Sequence, residues 1–333
     1  MGGPAILVTG GAGFVGSQIV RRLAARGDVD VVVCDRLREA ASGKWRNIAK
    51  HPIADLTPPE ALPAWLAANQ ARVVAVVHMG AVSSTTEADA DKIIENNFRL
   101  SKAIWDWCAA HAKPLVYASS AATYGAAERG FADDNAVDAV AALRPLNAYG
   151  WSKKLFDLYA VRETARGHAP PKWSGLRFFN VYGPNEYHKG PQMSVVAHMY
   201  PGAAQGAVTR LFKSHHPDYA DGGQKRDFVY VDDCAAVAEW LLANERGGGV
   251  LNVGSGEART FLELAHALHR ALNAEARIEY VDTPAEIRRN YQYFTQADLT
   301  RLRALGYDRP MTSLETGVGT YVSGYLSTDD PYA

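Results

Sequence analysis

The stretch that ends at Gly16 constrains the fold more than any other. Ala5-Ile-Leu-Val-Thr9 is a short apolar run that stops at glycines, which predicts a buried parallel strand. Gly10-Gly-Ala-Gly13-Phe-Val-Gly16 follows, and Ser17 to Arg26 then sets Ile19, Val20 and Leu23 on one helical face. Strand, glycine-rich turn and helix in that order suit a dinucleotide pyrophosphate. Gly10 permits the tight turn, Gly13 lets the backbone approach the anion, and Gly16 lets the helix pack closely on the sheet. The pyrophosphate would sit at the positive helix N-terminus.

The same rhythm continues. Val29 to Cys34 reads as a second strand and ends at Asp35, where a carboxylate usually holds the adenosine ribose hydroxyls of NAD. Arg36, Arg38 and Lys44 crowd that region and suit a 2′-phosphate, so these residues leave NAD and NADP both open. Ile53 to Leu56 reads as a third, edge strand, with Asp55 either near the adenine or capping a turn. Val73 to His78 is a fourth, with Gly80-Ala-Val-Ser-Ser84 at its carboxyl end, where ligands bind in open α/β sheets. Ile93 to Ala109 is predicted as a helix with Asn96 near its start, and Pro114 to Ala118 as a strand leading to Ser119-Ser120. Tyr149 to Arg166 follows as a helix and Ser174 to Asn180 as a strand.

Alternation of this kind predicts an α/β fold, a doubly wound parallel sheet of Rossmann type over residues 1–180. Residues 181–333 read mainly as a smaller α/β substrate-binding domain, with segments near 226–260 returning to the first. Polar loops at Asn185–Gly190 and Ser214–Gly223 are suited to binding. A short strand and helix start at Arg226, Val250–Val253 is a strand, and Phe261–Leu272, Ala297–Leu305 and Leu314–Leu326 are helical.

Tyr149 and Lys153 are four residues apart and share one helical face. A phenol with a pKa of about 10 is a poor base at neutral pH. An ammonium about 4 Å away, at an effective dielectric near 20, would favour the phenolate by roughly 4 kcal/mol or three pK units. That brings a tyrosine into the range where acid/base catalysis is efficient. Ser120, at a strand end, suits either a substrate oxygen or a turn.

The bulk numbers exclude several classes. A net charge of −1 over 333 residues gives no electrostatic case for nucleic acid or an anionic membrane. Cys34, Cys108 and Cys234 are widely spaced and form no zinc or redox pattern, which fits buried thiols in a reducing compartment. No leader pattern is present and no apolar run approaches the 18 or so residues of a membrane helix. A cytoplasmic protein is expected, without a metal, since the His and Asp residues of Ser214–Gln224 match no ligand spacing.

Thr9 to Gly16, Ser120 and Tyr149-x-x-x-Lys153 together resemble the extended short-chain dehydrogenase/reductases. Further stretches narrow this: His78–Glu87, Tyr117–Gly125, Arg177-Phe-Phe-Asn-Val-Tyr-Gly-Pro184, His188-Lys-Gly190, Lys225–Val231 and Phe294–Leu299. Across nearly the whole chain they are similar to the ADP-L-glycero-D-manno-heptose 6-epimerase family. The resemblance implies an isomerase of lipopolysaccharide inner-core precursor synthesis. It would invert C6 of ADP-D-glycero-β-D-manno-heptose through a transient 6-ketone, with one tightly bound nicotinamide per subunit, usually NADP. It also implies a homo-oligomer, often a pentamer, with a nucleotide-sugar substrate as its small-molecule partner.

By that resemblance Tyr149 and Lys189 are two proton carriers, Lys153 holds the nicotinamide ribose, and Ser120 holds the reacting oxygen. Read without it, Lys189 is a solvated loop lysine; His188 has a reference pKa suited to proton transfer, but the resemblance favours its neighbour and makes it a bystander. Cofactor positions implied are Gly10, Gly13, Phe14, Val15, Gly16, Asp35, Arg36, Lys44, Met79, Gly80, Ala81, Val82, Ser83, Asn96, Lys153, Val181 and Lys189. Substrate positions implied are Asn180, Pro191, His198, Phe212, Lys213, Ser214, His215, Arg226 and Tyr291. Arg226 suits a diphosphate as a planar fork. Pro59 stands where members can carry a lysine near the 2′-phosphate, and Pro191 where a small polar residue can occur. The alternatives are another nucleotide-sugar epimerase of this fold, such as a UDP-sugar 4-epimerase, and a non-catalytic nucleotide sensor. The first would not need Lys189, and the second would not need Tyr149 and Lys153.

Overall fold

A computed structural model describes residues 2–284, 288 and 291–333. The strands in chain order are β1 Ala5–Thr9, β2 Asp30–Cys34, β3 Asp55–Thr57, β4 Val73–His78, β5 Leu115–Ser120 and β6 Trp173–Phe178. They continue as β7 Asn180–Tyr182, β8 Thr209–Phe212, β9 Lys225–Tyr230, β10 Gly249–Val253, β11 Ala258–Thr260 and β12 Ile278–Val281. The helices used below are α1 Phe14–Arg26, α2 Leu62–Asn69, α3 Ala90–Ile94, α4 Leu100–Ala110, α5 Val137–Ala142, α6 Ala148–Ala165, α7 Val195–Ala204, α8 Val231–Ala243 and α9 Phe261–Ala271.

Seven strands form one parallel sheet in the order β10-β6-β5-β4-β1-β2-β3. The order reverses between β1 and β4, and this is the crevice where a doubly wound sheet binds its ligand. Side chains alternate along each strand. Ile6, Val8, Val31, Val33 and Val77 pack with Ile19, Val20 and Leu23 of α1 and with Val237 and Leu241 of α8. Ala5, Leu7, Val32 and Val76 pack on the other face with Trp105 of α4 and Phe156 of α6. Burial on both faces is why these strands read as unbroken apolar runs.

The second half of the chain adds a three-stranded sheet, β11-β9-β7, and a β12-β8 pair. Sequence signals start its helices. Ser194 caps α7 by accepting from the Ala197 amide, and Thr260 and Glu263 form a reciprocal capping box on α9. Among the described residues no helix is long and apolar enough to cross a membrane, and the three cysteines are free and buried.

Several predicted elements differ in detail. The helix expected over Ile93 to Ala109 is interrupted by a π turn, Glu95–Arg99, between α3 and α4. Asp55 does not line the sheet crevice; it lies in β3, where its carboxylate accepts from the Leu56 amide at 2.8 Å and the Trp65 indole N–H at 2.7 Å. The strand expected over Ser174 to Asn180 is two strands in different sheets, β6 and β7. The helix expected from Ala297 begins at Thr300, because the Ala297 amide is taken by Asp227 and the Thr300 amide by the Asp298 side chain.

Candidate active site

The glycine turn leaves room for a cofactor. Gly10 has φ 65°, and a Cβ there would fall 2.5 Å from the Gly80 nitrogen. A Cβ at Gly16 would overlap the Gly10 carbonyl. The α1 N-cap, Gly13, has no side-chain cap bond, and the first turn carries no acidic residue. Its amides thus have no anionic side chain competing for them, as a pyrophosphate needs. The residues present fit a dinucleotide.

The cleft above this turn has a volume of about 740 Å³. Of the positions expected to meet the cofactor, Gly10, Gly13, Phe14, Val15, Gly16, Asp35, Lys44, Met79 to Ser83, Lys153, Val181 and Lys189 line it. Arg36 and Asn96 do not. Arg36 is tied to Glu60 on the surface, and the Asn96 amide donates to the Lys92 carbonyl at 2.8 Å. Arg38 and Ser42 line the cleft instead.

Asn97 does at the turn after β4 what Asn96 does not. Its carboxamide oxygen accepts from Val82 N at 2.7 Å and its nitrogen donates to Val82 O at 2.9 Å and Ser152 Oγ at 3.0 Å. Sequence reasoning missed it, although Ile93, Asn97 and Ser101 recur every four residues on the buried face. Thr9 and His78 add support beneath. Their hydroxyl and Nδ1 are 2.6 Å apart, and Thr9 Oγ1 accepts from the Gly80 amide. Burial, and then the Lys153 cation, hold the His78 pKa down at about 3, so this ring is neutral.

At the far end of the cleft Asp35 accepts from the Ala12 amide at 3.0 Å and from Lys44 Nζ at 2.6 Å. His188 reaches the same region, with its Nδ1 3.2 Å from the Asn47 amide nitrogen. Burial and the nearby Lys44 and Lys189 push its pKa down to about 4, against the pull of Asp35.

Tyr149, Lys153, Ser120 and Lys189 all line this one cleft. Asn147 starts α6 by accepting from the Gly150 amide, which sets Tyr149 in the first turn. Ser120 Oγ accepts from Ala122 N at 3.1 Å and stands beside the Tyr149 hydroxyl. The expected depression of the phenol by Lys153 is not what the geometry produces. Lys153 Nζ donates to the Ala118 carbonyl at 2.8 Å. Burial raises the Tyr149 pKa and the Ser120 hydroxyl only partly offsets it. Burial also lowers Lys153 to about 8, against the pull of Asp157.

Lys189 sits on a short turn, Tyr187–Gln192, with its Nζ 5.0 Å from the centre of the Phe14 ring. Burial lowers its pKa and Glu186 opposes the shift. A lysine so placed gives up its proton more readily than a solvated one. It is not the solvated loop lysine that its local sequence suggests.

A second cavity of about 890 Å³ adjoins the cleft, and Val195 and Phe261 line both. His198, Phe212, Arg226 and Tyr291 line it, whereas Asn180 lines the first. Arg226 lies 5.2 Å from the Tyr291 ring centre and 5.6 Å from that of Phe261. No carboxylate pairs with it among the described residues, and burial lowers its pKa. Pro191, Lys213, Ser214 and His215 line neither space. The Pro191 carbonyl lies 3.2 Å from His198 Nε2, and Lys213 Nζ is 3.6 Å from Asp282. Ser214 N donates to Asp221, and His215 N to the Tyr293 hydroxyl.

Residues 6–254 match the NAD dependent epimerase/dehydratase family. Over 328 residues the chain is 47% identical to an ADP-L-glycero-D-manno-heptose-6-epimerase of Nitratidesulfovibrio vulgaris (strain DP4), covering 98% of this chain and 99% of the relative. The chain belongs to the ADP-L-glycero-D-manno-heptose-6-epimerase family. Among solved structures, the epimerase of that name from Helicobacter pylori superposes with a TM-score of 0.79 at 27% identity, over 97% of this chain and 96% of that one. The UDP-glucose 4-epimerase of Thermus thermophilus, in complex with NAD, gives 0.72 at 28% identity, over 95% and 96%. Tyr149 and Lys189 both line the one cleft above the glycine turn.

Proposed function

We propose that the chain converts ADP-D-glycero-β-D-manno-heptose to its L-glycero epimer at C6, in the supply of lipopolysaccharide inner-core precursors. The observation that carries this reading is Lys189. It is a half-buried lysine over Phe14 in the cleft that also holds Tyr149, Lys153 and Ser120. A sugar whose oxygen changes place during inversion needs two proton carriers, and a 4-epimerase has no such need of Lys189.

In this reading Tyr149 takes the proton of the C6 hydroxyl while Ser120 holds that oxygen. A nicotinamide held in the cleft would supply hydride acceptance and return at C6. Between the two the 6-ketone turns its other face, and on re-reduction Lys189 gives the proton to the oxygen in its new position. Lys153, fixed by Ala118, holds the ribose hydroxyls. Arg226, buried and without a carboxylate partner among the described residues, takes the diphosphate as a bidentate fork. The three buried free thiols support a cytoplasmic setting.

Purified, cofactor-loaded protein should convert the D-glycero substrate to the L-glycero product, followed by NMR at C6. Absence of conversion would sink the heptose reading and leave a UDP-sugar as substrate.

NADP is the proposed cofactor, with Arg38, Ser42 and Lys44 around the 2′-phosphate and Arg36 excluded by Glu60. Arg38→Ala should weaken NADP binding by about 10-fold or more, the worth of a hydrogen bond to a charged group. NAD binding should change little, as read by calorimetry. Equal loss for both cofactors would remove Arg38 from phosphate recognition.

A further inference from the structure

The turn that carries Lys189 is built around a carboxylate. Glu186 is 0% exposed, and no Lys or Arg pairs with it within ion-pair distance among the described residues. Its Oε1 accepts from Gly183 N at 3.4 Å, from Ser194 Oγ at 2.7 Å and from the Tyr321 hydroxyl at 3.1 Å. Its Oε2 accepts from the Ser194 amide. Gly183 precedes the Tyr187–Gln192 turn, Ser194 follows it as the α7 cap, and Tyr321 belongs to the helix Leu314–Tyr321. One side chain therefore pins both ends of the turn and docks it on a third element. The Glu186 carbonyl also accepts from the Lys189 amide at 3.0 Å, so the base sits one helical turn beyond the carboxylate.

We propose that Glu186 is the positioning residue of Lys189: it fixes the arch from which the lysine enters the cleft and supplies the buried negative charge that keeps a proton on it between turnovers. The proposal rests on the reading of Lys189 as the second proton carrier. A buried charge is tolerated when hydrogen bonds and a nearby countercharge compensate it. Four donors supply the first, and among the described residues Lys189 is the cation that acts on it. Each group raises or lowers the other in the expected sense: Glu186 opposes the fall that burial imposes on Lys189, and Lys189 opposes the rise that burial imposes on Glu186.

The other titratable groups facing this pair are few. Tyr187 and Tyr321 stay neutral, because burial and the Glu186 charge raise both. His188 on the same turn is neutral at physiological pH. Lys44 and Asp35 act on His188 from the far side of the cleft and pair with each other. Removing the Glu186 charge therefore leaves Lys189 facing burial alone, and its pKa should fall.

The test reads Lys189 directly. Reductive ¹³C-methylation labels the lysines of the cofactor-loaded protein, and the Lys189 resonance is the one missing from Lys189→Arg. Its NMR titration midpoint should drop by about one pH unit or more in Glu186→Gln. In Glu186→Asp, which keeps a charge but withdraws it, the drop should be smaller and in the same direction. The limb of the kcat–pH profile set by Lys189 should move with the midpoint. An unmoved midpoint in the folded variants, or in Glu186→Asp alone if Glu186→Gln does not fold, overturns the proposal. The titration is independent of turnover. If Lys189→Ala keeps full epimerase activity, the second-carrier reading fails while the link between Glu186 and Lys189 is still decided.

Discussion

Tyr149→Phe and Lys189→Met should each slow epimerisation by about 10²- to 10⁴-fold, the usual contribution of a positioned acid/base group. Both side chains line the same cleft, yet they come from separate elements: the first turn of α6 and the Tyr187–Gln192 turn. In the proposed mechanism a proton is taken at one oxygen position and delivered at another, so neither carrier replaces the other. The double variant should be little slower than either single one, because residues that act as a unit are not additive. Product formation at C6, followed by NMR, measures all three. Conversion that survives Lys189→Met would keep the substrate and discard the second carrier. The pH dependence has a sign. Burial raises the Tyr149 pKa, so its base form grows toward alkaline pH and kcat/KM should climb on that side.

Asp157→Ala should cost about 3–5 kcal/mol of stability, the penalty for leaving a buried charge without its partner. Arg177 is 1% exposed, and its Nε donates to Asp157 Oδ2 at 2.9 Å. Its Nη1 donates to the Tyr124 hydroxyl at 3.0 Å, and Nη2 has no partner among the described residues. Asp157 also accepts from the Tyr117 and Ser119 hydroxyls at 3.0 and 2.9 Å. Truncation would therefore strand one cation and two hydroxyls inside the sheet. Urea unfolding of the purified variant measures the loss. A change under about 1 kcal/mol would mean that water or repacking compensates the guanidinium. The variant should touch catalysis as well, because Asp157 opposes the fall of Lys153, which stands at about 8.

The sheet was legible because its strands are buried on both faces and its glycine turn has a mechanical reason for each glycine. β1 and β4 run from the first to the last residue expected of them. What could not be read depends on which way a side chain turns. Asn96 and Asn97 are chemically identical neighbours, and only the register of a π turn sends the second inward. Arg36 and Arg38 differ in the same way, since Glu60 draws one away and the other takes φ 61° at the cleft. The pairing of Tyr149 with Lys153 follows from helical spacing, but spacing does not reveal that the ammonium is spent on the Ala118 carbonyl. Lys213, Ser214 and His215 lie in a loop whose own backbone and neighbouring side chains take up their polar atoms.

The position of β10 bears on how the molecule is made. β6 is buried along its whole length, and its outer partner is β10, which lies beyond β7, β8 and β9 in the chain. The side chains of Asp133 and Asn135, far upstream, bind the β10 amides of Asn252 and Val250. During synthesis the sheet must therefore wait, with the edge of β6 open, until residues 249–253 have emerged. Long-range closure of this kind slows folding, and an open apolar edge invites pairing with a neighbouring chain. A fragment cut after residue 180 would carry that open edge permanently and should aggregate where the full chain stays dispersed.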